Sequence, residues 1–130
     1  MSYFSSSESN ESITTIGIVG GGQLAQMLIY AANQRGIKVV VQTPSRDDPG
    51  YKGASKVVFA NPEDIKGTLE LAKYCDCLTF ENEWVAPSDL KVLEDNGVNF
   101  FPGLTSFSPL LEKISQRELL NKLDIPGTEW

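Results

Sequence analysis

Three consecutive glycines, Gly20-Gly21-Gly22, end an apolar run and open a helical pattern. Upstream, Ile13 to Val19 is nearly all apolar, as suits a parallel strand covered on both faces. Downstream, Leu24, Met27, Leu28 and Ala31 recur at helical spacing to about Gln34. A buried strand, a tight turn lacking Cβ atoms and a helix N-terminus leave few folds open. Backbone N–H groups at such a helix start attract anions, phosphates above all. The stretch is therefore expected to hold a phosphate-bearing ligand. Gly36 stands where a C-cap glycine belongs, and Ile37 to Val41 reads as a second buried strand. Together these make a right-handed strand–helix–strand unit.

The rest of the chain continues the alternation. Thr43 to Gly53 is a loop, and Lys56 to Ala60 a short strand. Asn61-Pro62-Glu63-Asp64 predicts a helix start, with Asn61 as N-cap and acids in the first turn. Ile65, Leu69 and Ala72 are the expected buried stripe of that helix. Cys75 to Phe80 reads as a strand ending in Glu81-Asn82-Glu83-Trp84, Pro87 opens a helix carrying Leu90 and Leu93, and Val98 to Phe101 reads as the last strand. The fold expected is α/β: a doubly wound, Rossmann-like, mostly parallel sheet of about five strands. Ligands in such sheets bind at the carboxyl ends of strands, where both Gly20–Gln23 and Glu81–Glu83 fall.

Residues 1–12, rich in Ser, Asn and Glu, are expected to be a disordered tail, and residues 13–103 the Rossmann-like domain. Residues 104–130 form a helical extension, with Ser115 and Glu118 at capping-box spacing and Gln116, Leu119, Leu120 and Leu123 able to share a face. Its Ile125-Pro126-Gly127 end is expected to lead toward another domain. Trp84 and Trp130 read as packing residues, with a following domain as one surface they could pack against.

A chain of 130 residues is one domain. The net charge of −6 argues against a basic nucleic-acid-binding face, and no apolar run approaches a membrane span. Without a signal-peptide pattern the expected location is cytoplasmic. The absence of histidine removes Ser-His-Asp and Cys-His catalysis and imidazole metal sites. Cys75 and Cys77, one residue apart, are poorly placed for a bridge and read as reduced structural thiols.

Gly20-x-Gly22-x-x-Ala25 fits a dinucleotide fingerprint. An NAD site also wants an acid ending the second strand, where this chain has Gln42 and Thr43 and no acid before Asp47. Arg46 keeps NADP open. The glycines by themselves suit any phosphate-bearing ligand, or a close helix–strand contact without one.

Gly20-Gly21-Gly22-Gln23-Leu24-Ala25-Gln26-Met27-Leu28, followed by Gly36-Ile37-Lys38-Val39, resembles the start of the carboxyaminoimidazole ribonucleotide synthetases, the ATPase subunits of phosphoribosylaminoimidazole carboxylase. The resemblance continues through Cys75-Asp76 to Thr79-Phe80-Glu81-Asn82-Glu83, through Glu112-Lys113-Ile114-Ser115-Gln116-Arg117, and through Leu123-Asp124-Ile125-Pro126. It implies a pre-ATP-grasp domain, the first of three in a purine-biosynthetic ligase. That family uses ATP and Mg²⁺ to activate bicarbonate, so that the amine of aminoimidazole ribonucleotide can attack to give a carbamate.

Carried onto this chain, the resemblance implies substrate-binding roles for Gly22, Gln23, Leu24, Glu81 and Glu83. It also implies an ATP contact at Lys113, and assigns no catalytic or metal-binding residue. The expected partner is the phosphoribosyl substrate, not nucleic acid or membrane, with homodimerisation of full-length members as one option. Ala25 replaces a glycine of the family pattern, Thr43 an aspartate, Trp84 an asparagine and Lys113 an arginine, which costs the bidentate fork. The resemblance implies that the family's ATP-binding domain would follow Trp130, so these 130 residues alone are expected to bind no ATP or Mg²⁺ and to turn over no ATP. The alternatives are an NAD(P)-binding oxidoreductase fragment and a non-catalytic interaction module exposing Leu119, Leu123 and Trp130.

Overall fold

The structure, a computed structural model, describes residues 12–129, so the expected tail up to Glu11 and the packing role of Trp130 lie outside the described residues. Four parallel strands form one sheet: β1 (Thr15–Val19), β2 (Lys38–Thr43), β3 (Lys56–Phe59) and β4 (Cys77–Phe80), in the order β3-β2-β1-β4. The helices are α1 (Gln23–Asn33), α2 (Ile65–Ala72), α3 (Pro87–Asp95), α4 (Leu104–Phe107) and α5 (Lys113–Lys122). The doubly wound expectation holds with one strand fewer. Val98 to Phe101 contributes a single parallel bridge between Phe100 and Leu78. Leu78 N–H donates to the Asn99 carbonyl, Phe101 N–H donates to that of Leu78, and Pro102 has no N–H to extend the ladder.

Alternation along the strands divides the core into two layers. Ile18, Val39 and Val41 face α1 through Ala25, Ile29 and Ala32. Val19, Val40 and Leu78 face the other way, toward Leu71, Leu90, Leu93 and Leu104 of the remaining helices. Helix α1 ends where expected. Gly36, at φ +70°, donates to the Asn33 carbonyl and Ile37 to that of Ala32, which caps the last turn.

Helical rotation differs from the apolar pattern in two places. The residues that give α1 its period are not those it buries. Leu24 is 56% exposed, Met27 67% and Leu28 41%, while Ala25, Ile29 and Ala32 meet the sheet. The glycine turn decides this, because Gly21 is held down on the sheet and Ala25 follows one helical turn later. Helix α2 buries Gly67, Thr68 and Leu71 and leaves Leu69 exposed, contrary to the stripe Ile65, Leu69 and Ala72. Ile65 and Ala72 are only partly buried.

The cause is a polar side chain. Gln42, fully buried at the end of β2, accepts the Thr68 hydroxyl at 3.0 Å and donates to the carbonyls of Asn61 and Asp64. Its amide pins the turn 61–64, so α2 starts later and Asp64, not Asn61, caps it by accepting Lys66 N–H at 2.9 Å. The capping box at Ser115 is also displaced: Glu112 precedes α5 and Ser115 lies inside the helix.

Candidate functional site

Strand register sets the geometry at the carboxyl end of the sheet. Val19 lies between Gln42 and Phe80, which aligns Gly20, Thr43 and Glu81 as the first residues beyond. Gly20 N–H donates to the Gln42 carbonyl at 3.0 Å, and Glu81 N–H to that of Val19 at 3.1 Å. Gly20 then turns with φ +112°, a conformation that side-chain-bearing residues rarely take.

The two motifs at the strand ends touch. Gly22 N–H donates to Glu81 Oε2 at 2.8 Å. A Cβ on Gly20 would stand 2.5 Å from that oxygen, and one on Gly22 would overlap Oε1. The space made by the glycines is filled by the chain's own carboxylate, and the Gly22 N–H is already engaged. Gln23 and Leu24, both exposed, open α1, and their N–H groups belong to the first helical turn, which has no intrahelical acceptor for them.

The loop after β2 closes the other side of the turn. Thr43 Oγ1 donates to Asp48, and Gly50 N–H donates to the Gly21 carbonyl at 2.7 Å. A Cβ on Gly21 would lie 2.5 Å from the Thr43 Cβ, and one on Gly50 would lie 3.1 Å from the Gly21 Cα. Gln42 points away into the start of α2. Neither residue at the end of β2 is therefore offered to a dinucleotide ribose, which the position of Gln42 and Thr43 alone left open.

Beyond Glu81 a groove of about 280 Å³ is lined by Phe80, Glu81, Asn82, Glu83, Phe107, Leu110, Lys113 and Gln116. Phe80 is stacked between Phe100 and Phe107, with centroids at 5.7 and 4.6 Å, and makes a rigid floor. Four of the six expected ligand residues gather here directly or at one remove: Glu81, Glu83 and Lys113 line the groove, and Gly22 joins it through Glu81. Gln23 and Leu24 are not among its lining residues. Two carboxylates and one ammonium around an aromatic floor suit a polyhydroxylated ligand with one anionic group.

Sequence reasoning gave no ligand role to Phe80, Asn82, Phe107, Leu110 or Gln116. Phe80 and Asn82 lay in the segment Thr79 to Glu83, and Phe107 and Leu110 carried no signal. Gln116 lay in the segment Glu112 to Arg117. Its amide donates to the Leu110 carbonyl, which ties α5 to the groove wall. Trp84, expected to pack, is 71% exposed. Cys75 and Cys77 are unbridged, as expected, and lie at the opposite end of β4 from the groove. Among the described residues no helix is long and apolar enough to cross a membrane.

A parallel α/β sheet with a glycine turn after its first strand and an acid at the neighbouring strand end places the chain in the Rossmann-like class of folds. A sequence model described as the ribonucleotide synthetase pre-ATP-grasp domain matches residues 13–108, and the chain belongs to that family. The N5-carboxyaminoimidazole ribonucleotide synthase of Synechocystis is 45% identical over 118 residues, covering 91% of this chain and 30% of that protein. The crystal structure of the N5-carboxyaminoimidazole ribonucleotide synthetase from Thermotoga maritima superposes with a TM-score of 0.80 at 31% identity, covering 89% of this chain and 32% of that one. The Aspergillus clavatus synthase, solved with ADP and 5-aminoimidazole ribonucleotide, gives a TM-score of 0.70 at 29% identity, covering 89% and 31%. The chain thus spans about 30% of the length of the curated relatives it matches.

Proposed function

We propose that this chain is the substrate-binding domain of an ATP-dependent ligase that carboxylates the amine of aminoimidazole ribonucleotide in purine biosynthesis. The observation that carries the reading is the junction of Gly22 with Glu81 beside a groove that also holds Glu83 and Lys113, in a chain of this family. The Aspergillus relative, solved with that ribonucleotide, supports the choice of ligand.

In this reading the Glu83 carboxylate accepts hydrogen bonds from ribose hydroxyls or the exocyclic amine. Glu81 presents the same ribonucleotide with a carboxylate that accepts the Gly22 N–H. The exposed helix start at Gln23 and Leu24 supplies donors for phosphate oxygens. Lys113 contributes one positive charge toward ATP, too little to balance a triphosphate flanked by two carboxylates. This chain therefore forms one wall, and the remaining nucleotide and Mg²⁺ contacts belong to the part of the relatives outside the match. ATP, where the whole enzyme binds it, supplies the phosphoryl group that activates bicarbonate. The setting is cytoplasmic.

Titration calorimetry of the 130-residue chain tests this. Aminoimidazole ribonucleotide is expected to give saturable heat that Glu83→Gln weakens roughly tenfold, the worth of one hydrogen bond to a charged group. NAD is expected to give none. The reading fails if the ribonucleotide gives no saturable heat up to about 10 mM, a range that covers even very weak binding. With ATP, bicarbonate and ribonucleotide together, no ADP release above background is expected. Substrate-dependent ADP release would show the isolated chain to be an active enzyme.

A further inference from the structure

Strand β3 is one edge of the sheet, at the far side from β4 and the groove. Hydrogen-bond parity shows which of its backbone groups are used. Lys38 N–H donates to the Thr14 carbonyl and Gly20 N–H to that of Gln42, so even-numbered residues of β2 bond to β1 and odd-numbered ones to β3. Ala60 N–H reaches the Thr43 carbonyl at 3.3 Å, which puts Lys56 and Val58 in the inward-bonding set of β3. Val57 and Phe59 therefore direct their N–H and C=O groups away from the sheet. Among the described residues no strand pairs with them.

The side chains around this edge are cationic and aromatic. Val57 shares the α1 side of the sheet with its register partner Val41, and Phe59, half exposed on that side, meets Tyr51 with ring centroids 6.1 Å apart. The Arg46 guanidinium lies 5.4 Å from the Phe59 ring centroid. An open groove of about 520 Å³ runs alongside, and its lining includes Lys52 and Lys56 but no acid, on a chain of net charge −6. Lys56 leans toward α2, its ammonium 4.2 Å from the Tyr74 ring centroid.

We propose that an extended peptide whose carboxylates alternate with apolar side chains adds to β3 as a further strand. Its backbone pairs with the outward groups of Val57 and Phe59. Period-two alternation then puts its apolar side chains on the α1 side, against Val57, Phe59 and Tyr51, and its carboxylates on the other side, beside Lys56. Charge selects this occupant over a second copy of the chain. Two β3 edges brought together would oppose Lys52 and Lys56 to the same lysines, the device by which edges avoid pairing with themselves. This docking is independent of the ligand held beyond Glu81, at the opposite edge of the sheet.

Nuclear magnetic resonance titration of the 130-residue chain tests this. The probe is a capped peptide of about eight residues, alternating glutamate with valine and phenylalanine, long enough to span β3. Saturable shifts are expected at the Val57 and Phe59 amides, with slowed hydrogen exchange at both and a Kd on the order of 100 µM, as suits a small interface. Two further forms of the peptide, N-methylated at the glutamates or at the apolar residues, separate backbone pairing from side-chain adhesion. Alternate residues of an added strand face β3, so one form is expected to bind and the other to lose binding. A peptide with lysine for glutamate, and the original peptide with a Lys52→Glu, Lys56→Glu chain, are each expected to bind at least about tenfold more weakly. Both lysines are exposed, so the circular dichroism of that chain is expected to be unchanged. No saturable shift up to about 2 mM overturns the proposal, as does equal behaviour of the two methylated forms or equal binding of the lysine peptide. Exchange protection at Val57 and Phe59 that grows with chain concentration in the absence of peptide assigns the edge to a second copy and overturns it too.

Discussion

The Glu81 carboxylate sits on the glycine turn, its Oε2 accepting the Gly22 N–H at 2.8 Å and its Oε1 occupying the room that a Cβ on Gly22 would need. One strand-end acid and one turn glycine, 59 residues apart, are therefore a single structural unit. The glycine at position 22 leaves room for a side chain of the protein itself.

That arrangement ranks the glycines. Gly21→Ala would drive a Cβ into Thr43, which is fully buried and held by Asp48, so it is expected to cost about 2–3 kcal/mol, near the top of the overpacking range. Gly22→Ala meets only the end of the Glu81 side chain, which can swing aside, and is expected to cost about 1 kcal/mol, the worth of the lost hydrogen bond. Urea midpoints of the two variants check the order. Equal or reversed losses would mean that Glu81 is held more firmly than its hydrogen bond implies.

Gln42 offers a test of the dinucleotide alternative. By fingerprint logic Gln42→Glu would restore the acid that binds a ribose. In this fold the new carboxylate would face the Asn61 and Asp64 carbonyls in a fully buried site. The variant is expected to lose more than about 2 kcal/mol and to acquire no NAD affinity. Thr68→Val, which removes the donor to Gln42 Oε1, is expected to cost about 1–3 kcal/mol. Denaturant unfolding and NAD titration of Gln42→Glu separate the two possibilities.

Acid stability should depend on Asp76. Hydrogen bonds from the Thr14 and Thr15 backbones, and from the Thr14 hydroxyl, hold its carboxyl below its ordinary value of 3.8. A carboxyl depressed in the folded state stabilises the fold fully above its unfolded value, and that contribution is lost as pH falls through the folded one. Stability is therefore expected to fall below about pH 4, and less steeply in Asp76→Asn. Urea midpoints at pH 5 and pH 3 for both proteins check the difference, which disappears if Thr14 and Thr15 are not anchored there.

Burial, and after it the neighbouring Cys77 and Asp76, push the Cys75 thiol up to about 12, and burial also raises Cys77. The thiolate is the reactive form, so at pH 8 Cys75 is held almost wholly as the unreactive thiol. A colourimetric thiol reagent at pH 8 is expected to label the native chain slowly and both cysteines promptly in urea. Fast native labelling would contradict the packing of Cys75 against Leu71, whose carbonyl accepts its Sγ–H at 3.2 Å.

Much of the fold was legible because it is written locally. The strand–glycine–helix order, the Gly36 cap and the Leu90–Leu93 stripe each depend on residues within a few positions of one another, and each stands in the structure. The departures share one cause. Leu69 looked like core and Asn61 like a cap until Gln42, 27 and 19 residues away respectively, drew the 61–64 turn and Thr68 inward. A buried amide must satisfy its donors and acceptor, and that demand outweighs the preference of one leucine for the interior.

The candidate site divides in the same way. The residue types at the strand ends, three glycines here and two acids there, are determined by the sequence, as is the apolar period of α1. Tertiary structure alone decided that Glu81 lies on Gly22, because β1 and β4 become neighbours only in the folded sheet. It also decided that Glu83 and Lys113 line one groove, and that Leu24, Met27 and Leu28 face outward while Ala25 faces in. A period tells how residues share a face. Which way the face points is set by where the turn before it is held.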